Sequence, residues 1–198
     1  MAEPTLRPRS ELDGAVLDGV DLTGEDGTDS LLLECTLTRC DLSDVRLAGA
    51  RFTECRVSWV HGAGTDLSRS QWLDSRIVQP RLGAPQLHGA SMRRVRVEGG
   101  KVEFANWRGT TLRDVAFDGC VLLEPDFAEA SLRDVTFAGC RLVEPRFDNV
   151  RCQGVDLSGA ELVMPSGVAS LRGATLSLEQ VLDVAPALAR QLGIAVVG

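Results

Sequence analysis

The sequence predicts an all-β fold, a square coil of short strands stacked into a solenoid. Three observations predict it. First, an apolar residue recurs at every fifth position from Leu12 to Leu162: 29 of the 31 positions are apolar, and the other two are Gly27 and Gly62. Second, the residue two places before each beat is small or compact, as in Ser30, Cys35, Cys40, Val45 and Ala50, with Glu25 the one misfit. Third, the other three positions of each five carry nearly all the charge. A register held this long marks an internal repeat.

The period decides the architecture. Five matches neither the 3.6 of a helix nor the 2 of a strand. Five residues can make one short side and one corner, and four such sides close one coil. A single coil cannot bury its own inner face, so the coils must stack. Ser10 to Met164 is 155 residues, or 7.75 coils of 20. At about 4.8 Å per coil the rod is about 37 Å long.

Taken in order, residues 1–9 precede the beat and are expected to be flexible. Residues 10–176 form the solenoid, and residues 177–198 form a C-terminal cap. Residues 20 apart fall in one column, so Trp107, Phe127 and Phe147 stack, as do Phe117 and Phe137. Offset aromatic stacks fill a narrow core well. Pro85, Pro125, Pro145 and Pro165 share a column whose amide hydrogens the inter-coil ladder does not need. Gly24-Glu25-Asp26-Gly27 and the glycines after Trp59 weaken the beat without shifting its register, consistent with bulged corners.

After Met164 the beat slips at Pro165-Ser166-Gly167. Ser177 and Gln180 then match a capping box. One short helix is expected to about Val184, and a second from Pro186 to about Gln191, ended by Gly193. A solenoid end is a row of unpaired strand edges that must be covered. The apolar set Val181, Leu182, Val184, Leu188, Leu192, Ile194, Val196 and Val197 is larger than one small cap needs.

Composition excludes several classes. No apolar run is long enough to cross a membrane, and Met1-Ala2-Glu3-Pro4 does not open a signal peptide. Five of the six cysteines sit in the small inward column and Cys152 in the large one. This reads as buried free thiols in a reducing cytoplasm. His61 and His88 occupy different repeat positions with no second ligand at zinc spacing. Gly100-Lys101 lacks the upstream glycine of a phosphate loop, and no serine, base and carboxylate set can be singled out. Neither enzyme activity, nor a cofactor, nor a metal is expected.

Charge is unevenly placed. Residues 11–45 sum to −9, residues 46–113 to +7 and residues 114–161 to −6, within a total of −7. One column, Glu34, Glu54, Asp74, Asp114 and Asp134, is acidic and is broken only by Arg94. Like charges about 5 Å apart repel, so the column asks for a reason. Compensation by Arg93, Arg113 and Arg133 is one reading, and imitation of a row of phosphates is the other. An outward apolar stripe, Leu123, Val143 and Val163, also follows the 20-residue spacing and is a candidate contact.

The five-residue unit resembles the pentapeptide-repeat motif A-(D/N)-L-x-x. Clear copies are Val20-Asp21-Leu22-Thr23-Gly24, Cys40-Asp41-Leu42-Ser43-Asp44, Thr65-Asp66-Leu67-Ser68-Arg69, Pro125-Asp126-Phe127-Ala128-Glu129 and Val155-Asp156-Leu157-Ser158-Gly159. The resemblance spans about residues 10–175 and implies a right-handed quadrilateral β-helix. An acidic rod with a helical cap is similar to the quinolone-resistance group of this family. That resemblance implies a DNA mimic acting on DNA gyrase or a related type II topoisomerase. It implies an acidic contact surface of Asp114, Asp118, Glu124, Asp126, Glu129, Asp134, Glu144, Asp148, Asp156 and Glu161. It also implies a homodimer through the C-terminal segment, with Val181, Leu182, Val184, Leu188, Leu192 and Ile194 shared between cap and dimer contact. The alternative is a scaffold rod with a different protein partner, motivated by the basic middle. Direct nucleic-acid binding is not expected.

Overall fold

The structure, a computed structural model, describes residues 6–195. It is a β-solenoid of about eight coils with one C-terminal helix. All strand pairs are parallel and join residues 20 apart over most of the chain, as in Glu11↔Leu31, Thr111↔Ser131 and Arg141↔Glu161. The first side runs through Glu11–Asp13, Leu31–Leu33, Arg51–Thr53, Gln71–Leu73 and Arg151–Gln153. Between these last two, Ser91–Glu98, Thr111–Asp118 and Ser131–Ala138 carry both the first and the second side around their shared corner. The second side otherwise uses strands such as Val16–Asp18 and Arg76–Val78. The third uses strands such as Lys101–Glu103 and Val121–Leu123. The fourth is held by single bridges from Asp26↔Arg46 to Arg146↔Ser166.

The inward columns form the core. Most beat residues are buried; Leu12, Ile77, Leu82 and Cys152 are partly exposed and pack against the rest. Each fully buried Leu or Phe contributes about 1.5–3 kcal/mol of transfer free energy. The expected aromatic columns form: Trp107–Phe127 and Phe127–Phe147 stack at 5.6 and 5.9 Å, and Phe117–Phe137 at 4.8 Å. Phe52 also stacks on Trp72 at 3.8 Å. All six cysteines are free, and five are buried. Cys55 donates its S–H to the carbonyls of Leu32 and Thr53, and burial pushes its thiol up to about 11.

The five-residue unit has a local explanation. The residue two after the beat turns the corner in the left-handed region, and among the described residues twenty non-glycine residues do so, including Glu34, Asp74 and Phe104. L-residues adopt this region at a cost. Here the amide it aims sideways bonds the next coil, as Glu34 N donates to Thr53 O at 2.9 Å. The Asp before the beat has a matching role. Asp41 Oδ1 accepts from the N–H and hydroxyl of Ser43 at 2.9 and 2.6 Å, and Asp21, Asp26 and Asp156 do the same or similar with the residue two places on. In the proline column the carbonyls of Pro85, Pro125 and Pro145 accept inter-coil bonds while no amide there is required.

These turn bonds pull the carboxyls of Asp21, Asp26, Asp41 and Asp156 below their ordinary value of 3.8, with the side-chain hydroxyl bond as the largest cause. A depressed native value means that the stabilisation is present above the unfolded value and is lost as pH falls through the native one. The urea midpoint is therefore expected to hold steady above this window and to fall below pH 3.8. Asp21→Asn, Asp41→Asn and Asp156→Asn together retain an acceptor and should flatten the acid limb. An unchanged acid limb in that triple variant would refute this account.

Both ends of the solenoid depart from expectation. Residues 6–9 are not loose. Leu6 is buried, its N–H donates to Glu25 Oε2 at 2.8 Å, and Arg9 N bonds Thr28 O. Leu6 fills the space left by Gly27, where an added Cβ would lie 3.4 Å from Leu6 Cβ. Glu25, the misfit of the small column, thus ties down the start of the stack. The first five residues of the expected flexible segment lie outside the described residues.

At the other end, Ala174–Thr175 pairs with Val155–Asp156 after a short 3-10 turn at Val168–Ser170. A single helix, α1 (Leu178–Gln191), then follows, not the two short helices expected. Pro186 lies inside it. Leu182, four residues back, is exposed like Pro186, so water can reach the carbonyl that the proline leaves unpaired. The Ser177–Gln180 capping box is present. Gln180 does more than close the box. Its buried Nε2 donates to Leu157 O and Ala160 O at 2.7 and 2.6 Å, which satisfies the open edge of the last coil.

Candidate partner-binding surfaces

The ten carboxylates expected to form one acidic surface are distributed over the second, third and fourth sides and the corners. Asp114 and Asp134 turn the corner between the first and second sides, and Asp118 and Asp156 lie on the second. Glu161 is on the third side, and Glu124 and Glu144 turn its corner into the fourth. Asp126 and Asp148 are on the fourth side, and Glu129 turns its corner back to the first.

Ion pairs grade this set. Arg141 bonds Glu161 at 2.6 Å, and Arg108 reaches Glu129 at 2.8 Å and Asp126 at 3.3 Å. Arg96 approaches Asp118 at 3.4 Å and Arg146 approaches Asp148 at 3.9 Å. Glu124, Glu144 and Asp156 have no ion-pair partner among the described residues. These exposed pairs are worth little individually, of the order of 0–1 kcal/mol, so they leave the carboxylates available.

The acidic corner column is compensated differently from the expectation. Arg113 and Arg133 approach Asp114 and Asp134 at 3.7 and 3.5 Å, as expected. Asp74 is instead held by both guanidinium arms of Arg94, at 2.5 and 2.7 Å, and this bond keeps its carboxyl below the usual range. Arg94, which interrupts the column in sequence, thus neutralises the residue one coil before it. Arg93 makes no ion pair among the described residues and is free on the first side.

That side is the feature which summing charge along the chain missed. From the third coil onward its outward residues include Arg51, Arg93, Arg113, Arg133 and Arg151, and no carboxylate. Sorting the sequence by its 20-residue phase would have exposed it.

The helix divides the apolar set expected for cap and dimer contact. Val184 is buried and Leu188 packs against the core. Val181, Leu182, Leu192 and Ile194 are exposed, as is Leu178, at 66% for Leu182 and 77% for Leu178. Val196 and Val197 lie outside the described residues. The stripe Leu123, Val143 and Val163 is half-buried along the third side. No cluster of three or more metal-binding side chains occurs among the described residues, and no helix among them is long and apolar enough to cross a membrane.

A parallel solenoid whose sides repeat every five residues defines the class of protein. Within that class, a family model described as pentapeptide repeats matches eight copies, over residues 28–58 and 126–162. Over these residues the chain carries pentapeptide repeats, and the parallel strand register continues the same five-residue unit between them. No curated protein matches the chain. Among solved structures, it is similar to a trypsin-treated variant of QnrB1, a plasmid-mediated fluoroquinolone resistance protein. The identity is 19% and the TM-score 0.46, over 95% of this chain and 100% of that one. It is also similar to HetL, a pentapeptide repeat protein involved in heterocyst differentiation regulation from the cyanobacterium Nostoc sp. There the identity is 19% and the TM-score 0.34, over 85% of this chain and 90% of the other. The fold assignment rests on the strand register of the chain itself.

Proposed function

We propose that this protein is a non-enzymatic DNA mimic, active in the cytoplasm, that binds DNA gyrase or a related type II topoisomerase and inhibits it or protects it from drugs that trap cleaved DNA. One observation carries the reading. Residues 114–161 hold ten carboxylates against four bases, spread over three sides of the rod and its corners. At 20 residues per coil, that net −6 is spread at about one charge per 1.9 Å of axis. A DNA duplex carries about one per 1.7 Å. A saddle built for a duplex is basic, so it would steer in such a rod, more weakly as salt rises.

Dimerisation through the exposed face of α1 fits this reading. Leu178, Val181, Leu182, Leu192 and Ile194 would be covered by a second copy, and the two −6 segments would meet near the dyad, matching a two-fold enzyme. The basic first side favours a second reading, a scaffold rod with another protein partner.

The test is supercoiling by purified gyrase, with and without a cleavage-trapping drug. Inhibition or drug protection is expected. Asp114→Lys, Asp118→Lys, Asp126→Lys and Asp134→Lys together should weaken it by about tenfold or more, with the fold checked by circular dichroism. Undiminished activity in that variant would sink the mimicry argument.

A further inference from the structure

The first side presents a repeated pair of outward side chains. In three successive coils the pairs are Ser91 and Arg93, Thr111 and Arg113, and Ser131 and Arg133. Strand register places Ser91 opposite Thr111 and Thr111 opposite Ser131, and likewise Arg93 opposite Arg113 and Arg113 opposite Arg133. Each coil thus offers one hydroxyl and one guanidinium, about 4.8 Å from the next pair. Arg51 and Arg151 extend the same side, and neither makes an ion pair among the described residues. Three stacked guanidinium groups repel one another, and nothing on their own side neutralises them. The edge shared with the second side does so in part, through Glu54, Asp74, Asp114 and Asp134 opposed by Arg94, while Glu129 at the other edge is paired with Arg108, and this leaves the surface net positive.

We propose that the first side is a docking strip for an extended acidic segment of a partner protein. Guanidinium groups bind carboxylates in a bidentate fork, and hydroxyls beside them add donors. From Arg51 to Arg151 is five coils, about 24 Å, the reach of about seven extended residues. The strip is one side wide, with the carboxylates of the adjoining corner at its edge. A single chain fits between these limits, whereas a duplex would press phosphates onto Asp114 and Asp134. The outward residues of this side include no aromatic ring, so no platform exists on which bases could stack. Charge complementarity therefore selects an acidic polypeptide over a nucleic acid. This site is independent of the topoisomerase reading and can be measured without that enzyme.

The experiment is fluorescence anisotropy of a labelled oligoglutamate peptide with the full chain at low and high salt. Binding that weakens with salt is expected. Arg93→Gln, Arg113→Gln and Arg133→Gln together should weaken it by about tenfold or more, and Arg113→Gln alone should give a smaller loss. The counterpart on the third side, Arg81→Gln, Lys101→Gln and Arg141→Gln, removes the same charge and should leave binding close to wild type. Melting curves would confirm that both triple variants are folded. Four results would overturn the proposal: no peptide binding at low salt, or an equal loss in the third-side variant, which would mean diffuse attraction. The third is displacement of the peptide by a single-stranded or duplex oligonucleotide at lower concentration. The fourth is salt-sensitive self-association that the first-side triple abolishes, which would assign the strip to a second copy of this chain.

Discussion

Phe127→Ala is expected to lower stability by about 3–5 kcal/mol, the range for deleting a buried aromatic ring. Phe127 is fully buried and sits at the centre of the aromatic core. It stacks on Trp107 and Phe147 and meets Phe137 edge-on at 6.0 Å. The loss therefore combines transfer free energy, a cavity and contacts to three rings. The backbone around it is held by ladders on both neighbouring coils and has little freedom to collapse into the space. A solenoid is held together by nearest-neighbour contacts, so a weak coil can also split its cooperativity. Urea unfolding followed by circular dichroism measures both effects. A lower midpoint with a reduced slope would mean that the two halves part at this coil. A loss below about 1 kcal/mol would show that the column is not the core described here.

Gly62→Leu is expected to destabilise the protein by about 2–3 kcal/mol or more, through overpacking and backbone strain. The repeat taken alone predicts the opposite, because leucine would restore a missing beat and bury another side chain. The geometry decides against it. Gly62 has φ +150°, and an added Cβ would lie 2.6 Å from Leu42 C and from Ser43 N. The coil here leans its backbone onto the preceding coil. A side chain cannot be accommodated by a neighbour's rotamer when the obstacle is backbone. Thermal unfolding of Gly62→Leu beside the wild type tests this. A raised midpoint would mean that the coil can open to accept the side chain and that the glycine is a simple vacancy in the repeat.

The contrast between Phe127 and Gly62 shows how far the sequence could be read. Both occupy the large inward position, and the five-residue beat identifies both. The aromatic columns follow from counting in steps of 20, because stacked coils keep one register. The capping box at Ser177 and Gln180 was also legible, since it depends on four consecutive residues. The burial of Leu6 was not legible, because it answers a vacancy at Gly27 in the next coil. The single helix through Pro186 was missed because its tolerance depends on which side of the helix faces water.

The candidate surfaces divide in the same way. Net charge by segment was read directly, and so was the excess of apolar residues in the cap. The scattering of the ten carboxylates over three sides and the corners was not, since residues close in sequence turn a corner every five positions. The bidentate Arg94–Asp74 pair joins residues 20 apart, as does Arg46–Asp26.

The sequence by itself determined the coil length, the inward columns and the order of the stack. These follow from a local preference repeated many times, so that no single position can shift the register. Only the tertiary structure decided which outward side chains share a side, which charges neutralise one another, and where backbone takes the place of a side chain. Those depend on the closing of each coil against its neighbours, which sets distances that no five-residue unit contains.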